Sequence, residues 1–186
     1  MSSAISDRAC TGFDHFVTEA IKISFALPDG QCSVAPISEA ATGKHEVVML
    51  TVASYRFRVL LFVHFDRGLA MRAHLAALGS VTAEQMVEER FVDTMMERGN
   101  LCCGALNREL AQFFPHIGMS TPCVLPGSSL EHIGALRPSM TRHYRAEIAA
   151  DVALRLTLAI CAFADIDFPF DLREAGDAPS GELELF

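Results

Sequence analysis

The sequence predicts an α+β domain, a largely antiparallel sheet packed against helices. Three observations lead there. The apolar periodicity runs in the order helix, strands, helices, strands. Residues 143–149 and 152–163 read as an antiparallel pair. With 186 residues, 51% of them hydrophobic, the chain can fill a complete core as a single domain, 1–186. Its core spans about 5–165, and residues 166–186 form an irregular acidic tail.

Taken in order, residues 5–24 place Phe13, Phe16, Val17, Ala20, Ile21 and Ser24 at helical steps. Leu27-Pro28-Asp29-Gly30 breaks that pattern. A short strand and polar turn follow at 31–40. Residues 46–53 are rich in β-branched side chains. Residues 55–65 alternate, with Tyr55, Phe57, Val59, Leu61, Val63 and Phe65 on one face. Their other face starts with Arg56 and Arg58 and turns apolar at Leu60 and Phe62, as expected of a strand exposed at one end. Asp66 suits the N-cap of a helix over 67–78 that ends at Gly79. Thr82 opens a helical stretch running to Phe114 and Pro115, with Glu84, Gln85 and Glu88 in its early turns, where acids suit the helix dipole. Residues 119–125 form an edge or bulged strand around Pro122, and 126–138 a loop. The nearly all-apolar 152–163 is a central strand. The closing Glu-Leu-Glu-Leu-Phe is expected to dock back on the body.

Composition narrows the function. A net charge of −8 and the absence of any Lys/Arg run argue against nucleic-acid binding. No segment has the roughly 18 apolar residues that span a bilayer, and residues 1–10 lack the basic start and apolar run of a secretory signal. A cytoplasmic protein off the membrane is expected. Six cysteines match no CxxC spacing and read as buried thiols. No histidine pair has metal-ligand spacing, and no serine has nucleophile-elbow context, so no metal and no cofactor of its own is expected. His116 reads as a helix C-terminal cation or a partner contact, and Arg56 and Arg58 as a solvated strand end.

The chemistry concentrates on the helix at 91–113. At about 100° per residue, Val92, Met95, Met96, Gly99, Cys102, Cys103, Leu106, Leu110 and Phe113 form a core-facing stripe. Asp93, Glu97, Asn100, Gly104 and Asn107 fall on the solvent side. Glu97 and Asn100, three apart, are neighbours there. A carboxamide donates and accepts hydrogen bonds at once, which suits it to orient water against a phosphoryl group. A carboxylate beside it can pair with a lysine on a docking partner. Gly99 and Gly104 each cost about 1 kcal/mol in a helix interior, so a packing or access reason is expected for both. Gly104 leaves room for another surface to approach.

Asp93, Glu97, Asn100 and Pro122 resemble the signature of the CheC/CheX/FliY family of CheY-phosphate phosphatases, and the Glu-x-Gly-Asn run with the later glycine is most similar to CheX. The resemblance implies a CheC-like fold with one long motif helix. It implies an aspartyl-phosphate phosphatase of chemotaxis or two-component signalling that acts on a phosphorylated CheY-like receiver. Asn100 would orient the attacking water and Glu97 would pair with the receiver's lysine. Asp93 and Gly104 would be partner contacts and Pro122 structural, with Mg2+ supplied by the receiver. Where CheC carries two motifs, the first helix here has Glu19-Ala-Ile-Lys22, with Lys in the Asn position. One active face is therefore expected, and a homodimer as in CheX. The alternative is a non-catalytic CheC-like protein that binds a receiver or the flagellar switch.

Overall fold

The computed structural model describes residues 4–41 and 45–172. Helix α1, Asp7–Phe25, starts where the Ser6 hydroxyl accepts the Ala9 N–H and stops at Ala26, whose backbone is extended. It buries Phe13, Phe16, Val17, Ala20, Ile21 and Ser24, the stripe expected from spacing. Strands β1 (Ser33–Ile37), β2 (Glu46–Ala53), β3 (Phe57–Phe65), β4 (Gly118–Met119), β5 (Cys123–Pro126), β6 (Met140–Ala149) and β7 (Val152–Ala162) make one antiparallel sheet in the order β1-β6-β7-β3-β2-β4, with β5 also on β2. Helix α2 is Leu69–Leu78 and α3 is Glu88–Ala111. The α+β class and the central place of β7 hold.

Side-chain alternation divides the sheet. Val48, Leu50, Val59, Leu61, Val63, Leu156, Leu158 and Ile160 point to the face that carries α1 and α3 and join the main core. The opposite face holds a smaller cluster of Val47, Leu60, Phe62 and Ala159. Residues 126–138, expected as a loop, instead form a 3-10 helix, Gly127–Leu136, that lays Leu130 and Ile133 over this cluster. That cover explains why Leu60 and Phe62 are apolar on a face that starts at exposed Arg58. Strand β3 is internal along its length, between β7 and β2. Tyr55 lies before the strand and is 71% exposed.

Three other elements differ from expectation. The Asp66 carboxylate accepts the Gly68 N–H at 2.7 Å and closes a turn before α2. Gly68 is the N-cap and makes no side-chain cap bond. The stretch from Thr82 is two pieces: a 3-10 turn, Ala83–Gln85, with a Thr82–Gln85 capping box, and then α3. Pro122 cannot donate to a ladder and divides 119–125 into β4 and β5. The first residues of the tail pack onto the body. Ile166 and Phe168 are buried, and Phe168 stacks with Phe16 at 5.9 Å and meets Phe13 edge-on at 5.5 Å. The Arg8–Asp167 ion pair holds the Asp167 carboxyl below the ordinary range. The final Glu-Leu-Glu-Leu-Phe lies outside the described residues. All six thiols are free; Cys102, Cys103 and Cys161 are buried, whereas Cys10, Cys32 and Cys123 are half-buried.

On the smaller-core face, the His64 Nδ1 lies 2.8 Å from His45 Nε2, its Nε2 2.9 Å from Thr157 Oγ1, and His143 Nδ1 3.1 Å from that hydroxyl. Burial pushes the His64 imidazole down to about 4, and His45, His143 and Arg155 nearby push the same way. The folded state therefore binds fewer protons than the unfolded state, and its stability is complete above the ordinary value of 6.5 and declines as pH falls towards 4. Burial shifts His143 in the same direction. The expected loss from His64 is about 2 kcal/mol between pH 7 and pH 5. Urea titrations at the two pH values measure it. A His64→Gln variant with the same pH slope as wild type would show that the loss arises elsewhere.

Candidate functional site

Helix α3 carries the motif, and three sets of contacts fix it. At its start, Glu88 pairs with both Arg67 and Arg72, and Arg67 also pairs with Glu46 on β2. Both guanidiniums sit over the buried Phe91 ring, at 5.9 and 4.9 Å. One turn before the motif residues, the Thr94 hydroxyl donates to the Arg90 carbonyl at 2.7 Å. At mid-helix, Arg98 Nη2 donates to the Leu78 carbonyl at 3.2 Å, tying α3 to the end of α2.

Gly99 forms the third attachment. A Cβ there would lie 2.7 Å from Val48 Cγ1, 3.1 Å from Leu50 Cδ2 and 3.5 Å from Pro122 Cβ. The bare backbone lets α3 press onto β2, with buried Pro122 closing one side. Beyond it, Cys103 Sγ donates to the Thr51 carbonyl at 3.5 Å. Burial raises the Cys102 thiol, and it raises Cys103 to about 11, so neither is a thiolate nucleophile at neutral pH. Their role is packing.

Seating this face turns the other outward. Asp93, Glu97 and Asn100 are exposed, and none of their side chains hydrogen-bonds to another described residue. Gly104 has nothing within 4 Å of where a Cβ would stand. The four site residues of the sequence reading thus share one open face. The two glycines differ in kind, one serving packing and the other leaving an opening.

Some expectations need correction. Asn107 is half-buried, and its Oδ1 is enclosed without a partner. Val92, Met96 and Phe113 are only partly buried, whereas Phe91, Thr94 and Ala105 are buried. His116 is exposed in a left-handed turn beyond the Gln112 cap, and the base in the last turn of α3 is Arg108. The reading also passed over Leu101, 45% exposed on this face. The signal was present: four residues after Glu97, it lies about 40° from it around the helix.

The first helix carries lysine where a second motif would need asparagine. Lys22 Nζ lies 2.7 Å from Glu19 Oε1, so the pair neutralises itself. A cavity of about 980 Å³ opens elsewhere, lined by His45, His143, Thr157, Phe65, Leu130 and Ile133. Its Leu130, Ile133, His143 and Thr157 lining lies on the sheet face opposite the motif. No cluster of three or more His, Cys, Asp or Glu among the described residues could hold a metal ion. No helix among them is long and apolar enough to cross a membrane.

Neither a family profile nor a curated protein matches the sequence. Solved structures do match the fold. A chain of the CheX–CheY–BeF3–Mg2+ complex from Borrelia burgdorferi superposes with a TM-score of 0.60 at 12% identity, over 81% of this chain and 96% of that one. The chemotaxis protein CheX from Vibrio vulnificus gives 0.54 at 13% identity, over 80% and 96%. FliY from Thermotoga maritima gives 0.53 at 11%, over 82% and 84%. The chain has the fold of the CheC-like proteins.

Proposed function

We propose that this chain is a cytoplasmic aspartyl-phosphate phosphatase whose substrate is a phosphorylated CheY-like receiver domain in chemotaxis or two-component signalling. The observation that carries the reading is the unshielded, unpaired Glu97–Asn100 pair on a helix held at its start, middle and sheet side. Rigid placement matters because positioning supplies much of the rate in such chemistry.

Asn100 enters the receiver's phosphorylation site. Its carboxamide accepts a hydrogen bond from a water and donates one to a phosphoryl oxygen, aligning the water with phosphorus. Attack forms the new P–O bond and breaks the bond to the aspartyl carboxylate, releasing inorganic phosphate. Glu97 pairs with a receiver lysine and fixes the approach, Asp93 adds negative charge beside it, and Gly104 admits the partner's surface. On this reading the receiver would supply the Mg2+ that neutralises phosphoryl charge.

A binding-only role is the second reading, and the intact Asn100 favours hydrolysis over it. Phosphate release from a phosphorylated receiver, compared between wild type and Asn100→Ala, separates the two: a binding module would release none above the receiver's own rate. A homodimer is also proposed. The outer edge of β1, with Ser33, Ala35 and Pro36 exposed, offers a strand for pairing. A monomer by light scattering at assay concentrations would remove that proposal.

A further inference from the structure

Leu101 is the large apolar side chain in the outward sector of α3. It is 45% exposed and belongs to neither hydrophobic cluster. One exposed leucine is ordinary on a protein surface, but the setting of this one is not. It follows Asn100 directly, stands one turn beyond Glu97, and borders the open backbone of Gly104. Along the same stripe the helix presents Arg90, Asp93, Glu97, Leu101, Gly104 and Arg108. The order is cation, two acids, an apolar side chain, an opening, and a cation.

We propose that Leu101 is the apolar anchor on which the phosphorylated receiver seats, setting affinity while Asn100 sets the rate. The inference rests on the aspartyl-phosphate reading of the same face. The stripe specifies the partner's complement: a lysine opposite Glu97 and Asp93, an apolar ledge over Leu101 and Gly104, and a carboxylate near Arg108. An apolar contact inside a polar ring is the arrangement in which one side chain dominates binding, because the ring keeps water from it. Gly104 lets the ledge descend far enough to cover Leu101.

The test uses the full chain with Leu101→Ala, Leu101→Met and Asn100→Ala. Binding is measured to a CheY-type receiver activated with beryllofluoride and Mg2+, and turnover on the phosphorylated receiver. Leu101→Ala is expected to raise Kd and KM about tenfold with kcat within twofold of wild type, and Leu101→Met to restore most of the affinity. Because the side chain is exposed and outside the core clusters, thermal unfolding should be unchanged. Unaltered Kd and KM in Leu101→Ala would overturn the anchor role, and so would a fall in kcat alone. Should Asn100→Ala leave kcat intact, the phosphatase reading fails, while the effect of Leu101 on Kd is still read separately.

Discussion

Replacing Asn100 by alanine is expected to lower the rate of receiver dephosphorylation on the order of 100-fold or more while binding persists. The side chain has no bond to any other described residue, so removing it costs the fold nothing that would confuse the result. On the proposed mechanism it removes a donor and acceptor aimed at the reacting centre, and loss of one preorganised group of that kind commonly costs 10²–10³ in rate. Asn100→Asp should not rescue, because a carboxylate lacks the donor and repels the phosphoryl oxygens. Glu97→Ala should act differently. It removes one partner of an intermolecular charge pair, so Kd rises, with a stronger salt dependence in wild type than in the variant. Stopped-flow phosphate release over a range of receiver concentrations separates the two effects. Equal kcat in wild type and Asn100→Ala would end the catalytic assignment.

The two motif-helix glycines should respond to substitution with opposite signs. At Gly99 even a methyl group would meet Val48 at 2.7 Å and Leu50 at 3.1 Å, and both belong to a strand held on either side. Leucine there has no space without lifting α3 from the sheet. Gly99→Leu is expected to lose about 3 kcal/mol, at the upper end for overpacking, and to lose activity because Asn100 is the next residue. At Gly104 an added methyl meets nothing within 4 Å. Gly104→Ala is therefore expected to gain about 1 kcal/mol from helix propensity alone while weakening receiver binding. Chemical denaturation checks both. A destabilised Gly104→Ala would mean that this glycine serves packing, as Gly99 does.

Much of this arrangement is legible in the residues. Helical spacing located α1 and the outward sector of α3, and β-branched content located 46–53, the bounds of β2. Those signals are local, so a sequence displays them directly. What escaped depends on contacts between distant segments. The 3-10 helix at 127–136 carries little periodicity, and its reason for existing is the apolar patch of Val47, Leu60, Phe62 and Ala159 supplied by three other strands. Phe168 looked like part of an acidic tail, yet it stacks with Phe16 of α1, meets Phe13 edge-on and lies tilted against Phe113 just past α3. Asp66 has the chemistry of a helix cap, but its carboxylate closes the turn two residues on, and no side chain caps α2. At the site, the polar residues were found because their chemistry drew attention. Leu101 was missed because a leucine in a helix is read as core unless its angle is checked.

The central claim is that the α3 face bearing Glu97 and Asn100 enters the receiver's phosphorylation site. Side-chain amide NMR resonances of the protein, recorded as a beryllofluoride-activated receiver with Mg2+ is added, test it most directly. The Asn100 carboxamide is expected to shift or broaden first, together with backbone amides from Asp93 to Gly104, while β1 and the cavity beneath residues 127–136 stay unchanged. An unmoved Asn100, with the changes gathered instead on the opposite face of the sheet, would contradict it.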